Sequence, residues 1–191
     1  MRSTKVLFIA CLFSVAIVAS QSTESRAQGD RIQPYAENPR YWQYEGEPVL
    51  LLGGSEDDNL FQIPDLEEHL DLLASVGGNY IRNTMSSRSD NGFEIQPFRS
   101  LPDGTYDLNQ WNEEYWDRFE TLLTLTRDRD IIVQIEIWAF HDFNSGKWEK
   151  SPWRPSNNSN YSESDTTLKH SYGNIGRTVH DFFFTVPELN D

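Results

Sequence analysis

The chain of 191 residues carries 30 acidic against 16 basic side chains, a formal net charge of −14. A surface of that sign repels phosphate backbones and anionic lipid, which argues against nucleic acid or a membrane as partner. It leaves a neutral ligand such as a sugar as the better match, although an acidic face kept for solubility explains the same charge.

Arg2 and Lys5 precede an apolar run over residues 6–19, short of the roughly 20 residues that a spanning helix needs and arranged like a secretory signal. Residues 1–27 are therefore expected to be removed, with Ser25 and Ala27 as the small residues before the cut and Ser20 as an earlier alternative. The mature protein is then secreted or periplasmic, with no membrane attachment after cleavage. Cys11, the single cysteine, falls inside this leader, so the mature chain has neither disulfides nor thiol chemistry. Acylation of Cys11 is disfavoured by Phe8 and by the little apolar sequence before it. What remains is long enough for one ordinary domain and its core.

Residues 28–47 are polar and aromatic without a period and read as a lead-in segment. Pro48 then introduces Val49, Leu50, Leu51 and Leu52, stopped by Gly53 and Gly54, the pattern of a short buried strand. After a loop over residues 55–61, Pro64 suits a helix's first turn, and Asp65, Glu67 and Glu68 suit the positive end of its dipole. Leu66, Leu70, Leu73 and Val76 follow at helical spacing until Gly77 and Gly78, which predicts the first helix. His69, among acids, is expected at the surface.

Residues 79–85 read as a strand with Ile81 toward the helices and Arg82 toward the interior. Strand, helix and strand with short joints predict a right-handed parallel crossover. Residues 86–108 read as a long loop with a hairpin turned at Pro102, Asp103 and Gly104; long loops at this end of a parallel sheet line binding faces. A second helix is predicted from Asn109 or Asn112 to Arg129, with Trp111, Tyr115, Phe119, Leu122 and Thr126 on one face, Glu113 and Glu114 early and Arg127 and Arg129 late. The run IIVQIEIWAFHDF over residues 131–143 follows. Val133, Ile135 and Ile137 alternate with Gln134, Glu136 and Trp138, so one face is apolar and the other functional in character. Trp138 and His141 fall just past its C-terminal end, where parallel barrels display their chemistry. Residues 144–191 show no strong periodicity and no further strand, and no internal repeat is present.

The segments PVLLLGGSEDDN, GGNYIRNTM and YDLNQWNEEYWDRFETLLTLTRDRDIIVQIEIW followed by AFHDF together resemble the N-terminal part of cellulase-like, clan A type, (β/α)8 glycoside hydrolases, over about residues 33–143. The resemblance implies an α/β fold, a partial (β/α)8 TIM barrel over residues 48–143 holding the first three strands and the helices between them, with 144–191 a long loop and truncated end. It implies that Arg82, on the second strand, and His141, after the third, shape a sugar subsite, although His141 lies three residues beyond Trp138. In that family the catalytic acid and nucleophile stand at the ends of the fourth and seventh strands, which here would lie beyond residue 191. No catalytic residue is therefore assigned, and the chain is expected to be an incomplete, secreted glycoside hydrolase-like protein for O-glycosidic bonds of a poly- or oligosaccharide, inactive by itself. No cofactor is implied, and nothing in the sequence sets an oligomeric state.

The residues themselves add detail. A retaining glycosidase needs two carboxyl groups about 5–5.5 Å apart, one protonated and one ionised. Glu136 is the only acid inside a predicted strand, Asp142 lies just beyond one, and Asp57 and Asp58 sit on the first loop. A neighbouring Arg82 would hold Glu136 in a structural ion pair rather than leave it as an acid. Trp138 offers a face for the apolar C–H groups of a pyranose, and barrel filling explains it equally. Trp148 and Trp153, in a polar loop, are better candidates for exposed stacking, and packing of that loop against the body explains them equally. Residues 55–59, SEDDN, lack the glycine and terminal glutamate of a calcium loop and read as a lead into the helix, so no metal site is assigned. Asn157 and Asn160 begin glycosylation sequons usable only in a cell that glycosylates. No phosphate-cradling loop, nucleophile elbow or zinc spacing is present. Two other readings compete: a non-catalytic carbohydrate-binding protein using Trp138, Trp148 and Trp153, and a small complete α/β domain of unrelated role.

Overall fold

The computed structural model describes residues 31–86, 89, 91–137, 142, 145–166 and 168; the leader, Trp138 and His141 lie outside them. The chain divides into two units, residues 1–51 and 52–191.

In the first unit β1 (Gln33–Pro34), β2 (Trp42–Tyr44) and β3 (Glu47–Val49) form an antiparallel sheet in that order. Glu45 and Gly46, both at positive φ (51° and 88°), make the two-residue turn between β2 and β3, the turn whose twist matches that of the strands it joins. The described part of the lead-in expected over residues 28–47 thus holds short strands that its lack of a period does not announce. Strands of two or three residues are too short to show an alternation, and the glutamate–glycine pair was the one local signal. The buried strand expected from Val49 is corrected: Val49 pairs antiparallel with Trp42, and Leu50 is exposed.

The second unit is mixed α/β with few helices and small sheets. It contains a 3-10 turn at Leu60–Gln62, α1 (Leu66–Ser75), β4 (Tyr80–Thr84), β5 (Phe98–Ser100), β6 (Tyr106–Trp111), α2 (Glu113–Arg127), β7 (Ile132–Glu136), a single helical turn α3 (Ser145–Trp148) and a 3-10 turn at Pro155–Asn157. β4 and β7 pair in parallel, from Tyr80 opposite Ile132 to Thr84 opposite Glu136. On the other side of β4, Gly53 makes a single parallel bridge to Tyr80. A Cβ at Gly53 would collide with the Tyr80 carbonyl, so only glycine allows this approach. Leu52 before it is exposed, and the expected first strand is reduced to this one contact.

α1 forms where its leucines recur, burying Leu66 and Leu70 while Val76, just beyond it, is exposed. Gly77, at φ 82°, ends it, and the Gly78 amide donates to the Leu73 carbonyl at 2.9 Å, a C-terminal cap of the left-handed type. α2 starts at Glu113 after Asn112, so a helix beginning at Asn109 is corrected: residues 106–111 are strand. Trp111 consequently leaves the buried helical face, stands 58% exposed and stacks on Phe98 at 5.2 Å. Asp130, at φ 54°, turns the chain from α2 toward β7.

The core joins Leu60, Phe61, Leu66, Leu70, Ile81, Tyr115, Leu122 and Ile131. Phe61 meets Tyr115 and Phe119 edge-on, at 4.9 and 5.8 Å, the geometry that ring quadrupoles favour. The Arg129 guanidinium donates to Asp71 at 2.6 Å and Glu67 at 3.2 Å, fastening α1 to the end of α2. The hairpin expected at residues 102–104 joins β5 and β6: the Leu101 amide donates to the Thr105 carbonyl at 2.8 Å and Gly104 sits at φ 86°. The apolar face of β7 departs from expectation at its end. Val133 packs on the core, while Ile135 and, just past the strand, Ile137 are 42% and 67% exposed.

Candidate functional site

Alternation along β4 divides its side chains between two environments. Ile81 and Asn83 point into the core and are fully buried, with Asn83 Oδ1 accepting the Phe61 amide at 2.9 Å. Tyr80 and Arg82 point the other way, as the sequence predicts for Arg82. On β7 the parallel register brings Gln134 and Glu136 to the same face.

These groups form one polar ribbon. Arg82 Nη1 lies 3.5 Å from Glu136 Oε1, and Arg82 Nη2 donates to Asp58 Oδ1 at 2.5 Å. Thr84 Oγ1 donates to Glu136 Oε2 at 3.1 Å, and the Tyr80 hydroxyl donates to Gln134 Oε1. The expected pairing of Arg82 with Glu136 therefore forms, but it is not deeply buried: the side chains of Arg82, Asp58 and Glu136 are 46%, 37% and 34% exposed. Water screens such pairs, and each contributes on the order of 0–1 kcal/mol.

Asp58 is the closer partner; the sequence marks it as an acid on the first loop but not as the partner of Arg82, because the loop before α1 returns along β4 in a way that no periodicity announces. Two contacts hold that loop there. The Ser55 hydroxyl bonds the backbone of Arg82, and the Thr84 amide donates to the Asp58 carbonyl at 2.7 Å. Asp57 is also engaged, accepting from the Asn59 amide at 2.9 Å and from Asn91 Nδ2 at 2.8 Å. Residues 55–59 thus act as a fastener between loops. Among the described residues no three His, Cys, Asp or Glu side chains converge to hold a metal ion.

Beyond the C-terminal ends of β4 and β7, Asp142 is buried and accepts the Ser86 hydroxyl at 2.8 and 2.9 Å through its two oxygens. Its charge adds to the effect of burial, the larger cause, in raising the Tyr115 phenol above its ordinary value. Three sequence expectations are corrected here. Trp148 is 1% exposed and belongs to the core beneath its loop, so it offers no stacking face. Trp153 is half-buried and packs edge-on against Phe98 at 5.1 Å. His69 is mostly buried, its Nδ1 3.3 Å from Glu56 Oε2, because the loop carrying Glu56 folds over that side of α1. Polar composition around each residue disguised its burial.

Arg82 supplies donors and its two carboxylate partners supply acceptors on one open face, a set that can bind vicinal hydroxyls. Both carboxylates share the one guanidinium, Asp58 at 2.5 Å and Glu136 at 3.5 Å.

No family model matches the chain, and no curated protein matches it. Two solved structures are similar to it. One is the glycoside hydrolase family 5 mannosidase from Rhizomucor miehei, at 16% identity and a TM-score of 0.43 over 72% of this chain and 36% of that one. The other is a mutant of the same enzyme in complex with mannosyl-fructose, at 16% identity and a TM-score of 0.43 over 71% and 35%. The chain thus spans about 36% of the length of the first of these proteins. Both are glycoside hydrolases, the class that the sequence resembles, and at that TM-score the likeness carries no argument about what this chain does.

Proposed function

We propose that this chain is a secreted glycoside hydrolase-like protein that engages a neutral poly- or oligosaccharide through the polar face of β4 and β7, and that by itself it binds sugar without cleaving it. One observation carries the reading: Arg82, Asp58, Glu136 and Gln134 form a solvent-open row of donors and acceptors on a parallel strand pair. A guanidinium and carboxylates fixed side by side match adjacent sugar hydroxyls, with charge-assisted bonds on both partners. The net charge of −14 favours neutral over acidic glycans. Secretion is supported by Arg2, Lys5 and the apolar run over residues 6–19. Binding without cleavage is supported by the sharing of one cation between Asp58 and Glu136.

The test is calorimetric titration of the recombinant chain with β-linked manno- and gluco-hexasaccharides, alongside an assay for released reducing ends. The expected result is saturable binding near the millimolar range, about −4 kcal/mol, lost in Arg82→Ala, with no reducing ends released. Absence of saturation with either sugar overturns the reading. Hydrolysis abolished by Glu136→Gln would make Glu136 catalytic and overturn the binding-only part.

A further inference from the structure

The loops that leave the C-terminal ends of β4 and β7 enclose a second feature. Between the β5–β6 hairpin and residues 149–157 lies a cleft of about 520 Å³, lined by Gln96, Phe98, Ser100, Tyr106, Glu149 and Lys150 among others. That volume falls within the roughly 300–1,000 Å³ typical of small-molecule sites. Crevices beyond the C-terminal ends of parallel strands are also where ligands bind in open α/β sheets.

The walls are fixed to each other. The Ser159 amide donates to the Tyr106 carbonyl at 3.0 Å, the Leu108 amide donates to Asn160 Oδ1 at 2.8 Å, and Tyr106 and Asn158 form a parallel bridge. Phe98 is held between Trp111, stacked at 5.2 Å, and Trp153, edge-on at 5.1 Å. A ligand would therefore meet a cleft that needs little ordering, which lowers the cost of binding. The Tyr106 hydroxyl, on a half-buried side chain, makes no hydrogen bond among the described residues. Burial raises its pKa, so at neutral pH it is an uncharged donor and acceptor. The lining carries Lys150 against the two acids Glu94 and Glu149, so it has no excess of cations with which to hold a phosphate or sulfate.

We propose that this cleft is a further subsite for a neutral oligosaccharide, with the Tyr106 hydroxyl as its main hydrogen-bonding group and Ser100 as an exposed position on its wall. The proposal rests on the carbohydrate reading above and adds a second contact region to it. Its test is titration of the full chain with mannohexaose and cellohexaose, comparing wild type with Tyr106→Phe, Ser100→Trp and Arg82→Ala, each checked by thermal melting. Tyr106→Phe removes one oxygen and is expected to weaken binding about fivefold with melting unchanged. Ser100→Trp sets a bulky ring on an exposed lining position of the cleft and is expected to weaken binding further; should it fail to fold, Tyr106→Phe decides. Affinity unchanged in Tyr106→Phe while Arg82→Ala loses binding overturns the cleft and leaves the carbohydrate reading standing. No binding by the wild-type chain overturns that reading and the cleft with it.

Discussion

Arg82 and Asn83 are adjacent on β4, and the pleat gives them opposite energetic roles. Asn83 is fully buried with its Oδ1 accepting the Phe61 amide. Asn83→Ala strands that donor in the core and is expected to cost about 1–3 kcal/mol. Arg82 is partly solvated between Asp58 and Glu136, so Arg82→Ala is expected to cost no more than about 1 kcal/mol. Urea unfolding of the two variants checks the contrast, and equal losses would mean that the ion pairs on the open face stabilise far more than their exposure allows. Tyr115 provides a pH-dependent counterpart. Burial first, and then the Asp142 charge, raise its phenol, so the folded chain holds that proton more tightly than the unfolded chain does. The resulting stability is complete below the unfolded value of about 10 and is lost as pH rises above it. Tyr115→Phe is expected to melt like wild type at pH 7 and to lose less stability between pH 9 and 11, read from melting curves across that range.

At the scale of elements, legibility followed length and period. α1, β4 and β7 are each long enough for leucine spacing or alternation to repeat, and α1 is closed by a readable signal, Gly77. The pairing of Arg82 with Glu136 was legible for the same reason, since alternation and parallel adjacency together bring both to one face. β1, β2 and β3 have two or three residues each, and no period can appear in so few. Trp111 stands four residues before Tyr115, which fits a helical face, and its stacking on Phe98 across the hairpin overrides that spacing. Asp58 reaches Arg82 through a loop path, set by Ser55 and Thr84, that sequence spacing does not encode. The uncovered end of β7 yields a prediction of its own. Ile135 and Ile137 are exposed, so Ile135→Thr and Ile137→Thr give up little buried area and are expected to change the unfolding free energy by no more than about 0.5 kcal/mol. The same variants are expected to reduce self-association, because an apolar strand face open to solvent is an aggregation site. Light scattering at rising concentration checks this, and unchanged scattering would show that the face is not the adhesive one.

For the molecule as a whole, charge sets the response to salt. With 30 acidic and 16 basic side chains, the folded chain concentrates a net negative charge that unfolding would spread out, and this self-repulsion opposes folding. Salt weakens that repulsion and also weakens the ion pairs, so the sign of its effect depends on which of the two is stronger. The pairs at Arg82, Arg118, Arg127 and Arg129 join partners of which at least one is well exposed, and each is worth on the order of 0–1 kcal/mol. The net charge of −14 acts across the entire surface, and the Debye length of about 10 Å at 0.1 M screens repulsion between distant charges more completely than short, partly shielded contacts. Repulsion therefore dominates the response. Raising sodium chloride from 10 to 300 mM at pH 7 is expected to raise the melting temperature by about 2–4 °C, equivalent to about 1 kcal/mol for a chain of this size. A fall in melting temperature over the same range would show that the arginine pairs hold the fold more strongly than the acidic surface opposes it.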